Sequence, residues 1–158
     1  MCKMVSHMQK LILNDDLSEK LFAIQSKHSF KKEIGGILIG EYDASACCVR
    51  LTDMTFPYSG DQQSKLRFFR KSDGHQDQMD RLWEESGHTK AYLGEWHTHP
   101  QDVPIPSWVD CKNWKQISKK NINFDESYFI IIGRKEFIIW AVVNDDIVEI
   151  RRSKSYGK

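Results

Sequence analysis

The chain has no apolar run of membrane length and no secretory leader pattern. A membrane span is therefore not expected. Cysteine is sparse, with only Cys2, Cys47, Cys48 and Cys111. Adjacent Cys47 and Cys48 point to opposite faces of a strand, so they should not pair with each other. A disulfide scaffold is excluded, and the expectation is a reduced, cytoplasmic protein. Charge of either sign is not in excess: Lys plus Arg is 23, Asp plus Glu is 22, and the net charge is +1. That balance gives no general case for binding nucleic acid or a membrane surface. The basic runs at 65–71, 112–120 and 151–158 read as solvated faces and a tail. Repeats, linkers and low-complexity segments are absent. Only four prolines occur, and Pro100, Pro104 and Pro106 fall within seven residues of one another.

What is present fits one domain. A chain of 158 residues can bury roughly 68–70% of its unfolded surface. Residues 1–8 and 153–158 are expected to be flexible, leaving 9–152 as the folded unit. Residues 9–13 suit a short strand. Asn14, Asp15 and Asp16 offer a cap for a helix over 16–28, with Leu17, Leu21 and Ile24 as its buried stripe and Phe22 widening it. The apolar run 33–41 reads as a buried strand whose glycines invite close approach by another backbone. Strands follow at 46–55 and 65–70, with Pro57, Ser59 and Gly60 in the turn between them. Asp73 and Gln76 resemble a capping box, opening a helix through Met79, Leu82 and Trp83 that closes near Gly87. Residues 91–98 form a central strand. The prolines make 100–106 a loop. Ser107 caps a helix to about 119, with Val109 and Trp114 turned inward. Runs at 127–133, 136–143 and 146–151 form a β meander. The five tryptophans read mostly as core, with Trp108 the expected exception on the Ser107 turn.

One stretch carries chemistry: Gly94-Glu95-Trp96-His97-Thr98-His99-Pro100, followed by Ser107 and Asp110. Residues two apart on a strand share a face, so His97 and His99 can point into one site. Ser107 and Asp110 both fall on the first turn of a helix, and the loop is short enough to fold Asp110 back onto the histidines. Two imidazoles and a carboxylate suit zinc and leave a fourth position for water. By composition, this spacing arises by chance on the order of once in several hundred such chains. The other histidines (His7, His28, His75, His88) read as surface or satisfied core groups. Cys111 lies about 100° round the helix from Asp110 and reads as a packing residue.

Glu33-x-x-Gly36-x-Leu38-x-Gly40, followed by His97-x-His99-Pro100-x6-Ser107-x-x-Asp110, resembles the JAMM (MPN-plus) metalloproteases. Tyr92-Leu93-Gly94-Glu95-Trp96-His97-Thr98-His99-Pro100, Phe69-Arg70-x4-His75-Gln76 and the small undecorated domain look closest to the bacterial peptidases of CBASS antiphage operons. The resemblance covers about residues 9–150. It implies an α/β (α+β), cytidine-deaminase-like fold, with a mixed, curved central sheet flanked by helices. It also implies one catalytic Zn2+ held by His97, His99 and Asp110, with Glu33 as general base and Ser107 as oxyanion donor.

The implied activity is removal of a ubiquitin-like-conjugated protein with an extended C-terminal tail, a cGAS-like nucleotidyltransferase. The implied functional link is to a ubiquitin-like activating and conjugating enzyme. The implied location is the bacterial cytoplasm. The alternative within the family is processing of a ubiquitin-like sulfur carrier or another modifier. A metal-free scaffold of the same fold would show a broken ligand set, and here the set is intact. Glu95 departs from many eukaryotic members, which carry an aromatic residue there. By parity it faces the histidines and could brace a ligand imidazole, contact substrate or rival Glu33 as base. Asp102, in the proline loop, could meet a substrate tail or serve the loop alone.

Overall fold

A computed structural model describes residues 10–56, 62–63, 68–69, 72–121 and 124–153. The expectations on residues 1–8, on Pro57, Ser59 and Gly60, on most of 65–70 and on 154–158 lie outside the described residues. The elements in chain order are β1 (Lys10–Leu13), α1 (Asp15–Lys27), β2 (Gly35–Asp43), β3 (Cys48–Met54), β4 (Gln62–Gln63) and β5 (Phe68–Phe69). They continue with α2 (Ser72–Glu85), β6 (Ala91–Thr98), α3 (Trp108–Lys120), β7 (Ser127–Ile132), β8 (Phe137–Val143) and β9 (Asp146–Arg152).

Seven strands make one mixed sheet in the order β1-β3-β2-β6-β7-β8-β9. The pairs β1/β3 and β6/β7 are parallel, and the other neighbours are antiparallel. The expected mixed sheet flanked by helices is what forms. Its central strands are apolar on both faces because helices cover both. On one face, Leu17 and Leu21 of α1 join Leu38, Leu51, Leu93, Trp96 and Ile130. On the other, Trp114 of α3 packs on Phe129, Ile131 and Trp140, and Met79 of α2 packs on Ile37 and Ile39.

The glycines of β2 do permit close approach. A Cβ at Gly36 would stand 2.3 Å from the Thr55 carbonyl oxygen, and one at Gly40 2.1 Å from that of Arg50. The meander of β7, β8 and β9 forms as the periodicity predicts. Ser153, where the tail was expected to begin, is buried, and its Oγ accepts from the Phe137 N–H at 3.1 Å.

Several expectations are corrected. The predicted strand at 65–70 lies mostly outside the described residues. Among the described residues it contributes only Phe68–Phe69, paired with Gln62–Gln63 in a separate two-stranded ribbon. α2 is already helical at Ser72, one residue before the Asp73 expected to cap it. Val109 is 37% exposed, since it lies about 140° round α3 from the buried Trp114. Trp83 is 38% exposed rather than core. Among the described residues, Cys48 and Cys111 are free thiols.

Candidate metal centre

The end of β6 builds one half of the site. Alternation along the strand buries Trp96 and Thr98 on the α1 face and turns His97 toward the other. Trp96 fixes the strand by donating its indole N–H to the Thr55 carbonyl at 2.8 Å. His99 lies one residue beyond β6, and its N–H donates to Ile132 of β7 at 3.0 Å. The Nε2 atoms of His97 and His99 are 2.9 Å apart.

α3 supplies the carboxylate. Ser107 and Asp110 form a reciprocal capping box: the Ser107 N–H donates to Asp110 Oδ2 at 2.8 Å, and the Asp110 N–H donates to Ser107 Oγ at 3.1 Å. This fixes the phase of the helix. Asp110 is then only about 40° from Trp114, so the face that buries Trp114 also aims Asp110 at the histidines. Asp110 Oδ1 is 3.4 Å from His97 Nε2, and Oδ2 is 3.2 Å from His99 Nε2.

Glu33 comes from the segment just before β2. The antiparallel pairing of β2 with β6 sets Gly35 opposite His97, and the same register carried outward sets residue 33 opposite His99. Two bonds hold that extension in place. Thr98 N–H donates to the Ile34 carbonyl at 2.9 Å, and Ile34 N–H donates to Thr98 Oγ1 at 3.1 Å. Glu33 is 5% exposed, with Oε1 4.0 Å from His99 Nε2.

The electrostatics are mutual. Burial pushes the Asp110 carboxyl up, but His97, His99 and the Ser107 N–H more than reverse this and hold it below the usual carboxylate range. Burial pushes His99 down, but Asp110, then Glu33, outweigh it and the imidazole is raised overall. Burial and the neighbouring Asp110 push the Cys111 thiol up, so it is no ready nucleophile.

The donor set fits one divalent cation. His97, His99 and Asp110 each offer an atom, all within 4.8 Å of one another. Metal–ligand bonds of about 2.0–2.2 Å in a tetrahedral site require ligand–ligand edges of about 3.3–3.6 Å. The two Nε2 atoms stand 2.9 Å apart, somewhat inside those edges, and they lie 3.4 and 3.2 Å from the two separate Asp110 oxygens, Oδ1 for His97 and Oδ2 for His99.

The remaining candidates fall nearby. Glu95 is half-buried on the same face as His97 and accepts from the Tyr92 hydroxyl at 3.3 Å. Asp102 turns to the β7–β8 connection instead, 3.4 Å from Lys135 Nζ and 4.0 Å from Arg134 Nη1. Sequence reasoning missed the brace behind the site. Thr55 Oγ1 accepts from Ile37 N–H at 2.9 Å and lies 2.6 Å from Nδ1 of the fully buried His75. No spacing in the sequence links residues 55 and 75 to residue 96.

Fold and site together define a peptidase-class enzyme of the JAMM type. The chain belongs to the family described as prokaryotic homologs of the JAB domain (Prok-JAB), whose model matches residues 18–151. A Vibrio cholerae protein named CD-NTase/cGAS isopeptidase is 39% identical over 119 residues, covering 75% of this chain and 72% of that protein. An Escherichia coli protein of the same name is 29% identical over 142 residues, covering 90% and 88%. The solution structure of DSY2949 from Desulfitobacterium hafniense superposes with a TM-score of 0.60 at 18% identity, over 89% of this chain and 90% of that one. That likeness bears on the fold alone. Among the described residues, no helix is long and apolar enough to cross a membrane.

Proposed function

We propose that this enzyme is a zinc-dependent isopeptidase that cuts the bond after the C-terminus of a ubiquitin-like-conjugated protein. The conjugated protein is a cGAS-like nucleotidyltransferase, attached by a ubiquitin-like activating and conjugating enzyme in a CBASS antiphage system. The observation that carries the reading is the convergence of His97, His99 and Asp110 within 4.8 Å, with the buried Glu33 carboxylate 4.0 Å from His99. The names carried by the relatives support the substrate class.

When bound, zinc supplies Lewis acidity and a water whose pKa falls to about 7. The rest is work for the chain's own residues. Glu33 takes the water's proton as the oxygen attacks the scissile carbonyl carbon, and returns it to the amine as the C–N bond breaks. Burial keeps that carboxylate out of bulk water. The Ser107 hydroxyl oxygen accepts from the Asp110 N–H, which leaves its O–H to donate to the oxyanion. Beside the site, Ile105 is 65% exposed and Trp108 75% exposed. An apolar rim of this kind suits a macromolecular substrate more than a small polar one.

The test is a reporter fused to the C-terminus of the cognate nucleotidyltransferase. The wild-type enzyme cuts at the junction, and Glu33→Gln abolishes cutting while its metal content stays at one zinc per chain. Near-wild-type turnover by Glu33→Gln, with Glu95→Gln dead, transfers the base to Glu95 and overturns the assignment.

A further inference from the structure

A cavity of about 340 Å³ opens between α2 and the β2/β6 part of the sheet. Ile37, Met79, Trp83 and Tyr92 give it apolar and aromatic walls, and Asp80 and Gln76 stand at its edge. Gln76 donates to Asp80 Oδ1 at 2.8 Å and so orients that carboxylate. His88 stacks on the Trp83 ring at 4.7 Å with an interplanar angle of 7°, which holds the ring in place. No lining residue is basic. The volume is at the low end for a ligand pocket and suits one long side chain better than a cofactor.

The cavity lies on the metal-site side of β6. Ile37 pairs with Glu95, and Ile39 pairs with Tyr92 across an irregularity that absorbs Leu93. That shift brings Tyr92 and Glu95 onto one face, where the Tyr92 hydroxyl donates to Glu95. The floor therefore runs Tyr92, Glu95, His97 toward the metal ligands. With one residue absorbed, Tyr92 stands about four strand positions, or about 13 Å, from His97.

We propose that this cavity is a specificity subsite that takes a lysine or arginine side chain of the substrate's extended segment, three to five residues from the scissile bond. The aliphatic stem lies on Met79 and Trp83, with the cation at the aromatic rings and Asp80. Glu95, farther along the same floor, adds negative charge on the path to the metal. The inference rests on the isopeptidase reading above and adds a sequence preference to it.

The experiment uses the tail-linked reporter fusions, with Arg, Leu or Glu placed in turn at each of the third to fifth positions before the scissile bond. Full-length enzyme is compared with Asp80→Lys, and zinc content is measured alongside. One position should favour Arg over Leu by about five- to tenfold in kcat/KM, with Glu poorest. Asp80→Lys should invert the order of Arg and Glu there without loss of zinc. Equal cutting of Arg, Leu and Glu at every position, or an unchanged order in Asp80→Lys, overturns the subsite and leaves the isopeptidase reading standing. Failure of the wild-type enzyme to cut any fusion overturns both.

Discussion

Ser107 has two roles on one hydroxyl: it caps α3 through the Asp110 N–H and, in the proposed mechanism, donates to the oxyanion. The two can be separated by magnitude. Loss of an N-cap costs about 0.5–2 kcal/mol, against a stability of about 5–15 kcal/mol for a domain. Ser107→Ala should therefore stay almost fully folded. Loss of an oxyanion donor costs about 10²–10³ in kcat. We expect Ser107→Ala to melt only a few degrees lower by circular dichroism while kcat falls by about 10²-fold. A kcat within a few-fold of wild type would leave the serine as a cap only. Glu95 is the residue whose position was legible and whose role was not. Strand parity placed it on the His97 face, but the irregularity at Leu93 that also brings Tyr92 to that face leaves no mark in the alternation of apolar residues.

The β2–β3 hairpin shows how an element can be anchored by one charge. Asp43 Oδ1 accepts from Ser45 N–H at 3.0 Å, Ser45 Oγ at 2.7 Å and Ala46 N–H at 3.1 Å, while Oδ2 meets Arg50 Nη2 at 3.2 Å. The Ser45 hydroxyl, then the Ala46 N–H and Arg50, pull the carboxyl from 3.8 down to about 2. A carboxyl depressed in the folded state stabilises above its unfolded pKa and loses that contribution as pH falls through the folded value. Stability should thus drop between about pH 4 and pH 2, and Asp43→Asn should be less stable at neutral pH and flatter across that window. Chemical denaturation at several pH values reads this directly, and parallel pH curves for the two proteins would refute it. Elements like these were largely readable, because strand alternation and helical stripes are local signals. The failures were failures of phase and neighbourhood. Val109 was expected inward, yet the Ser107 cap rotates α3 so that Asp110 and Trp114 share the inner face. The strand expected at 65–70 is described only at Phe68–Phe69, which pair with Gln62–Gln63; an apolar pattern names a face and not a partner strand.

At the scale of the whole molecule, the site is a junction of three parts of the chain: the lead-in to β2, the end of β6 and the first turn of α3. The histidines and Asp110 were legible because fourteen residues hold them all. Glu33 lies 64 residues before His97, and only family likeness joined it to them in the sequence. The structure supplies the physical link, a β2–β6 register that sets residue 33 opposite His99. A cation held at this junction ties β6 to α3, so it should stabilise the whole fold. Binding to the folded state alone adds about 2.7–4.1 kcal/mol when free metal exceeds Kd by 100- to 1,000-fold. For a chain of this size, that raises the melting temperature by about 5–16 °C. The zinc-loaded enzyme should lose that increment on chelation and regain it when zinc is restored. Asp110→Ala, which removes one of the three proposed ligands, should melt at the same temperature with and without chelator. A wild-type melting temperature indifferent to chelation, with zinc loss verified by elemental analysis, would mean that His97, His99 and Asp110 are held together by the protein alone and that the metal adds nothing to the fold.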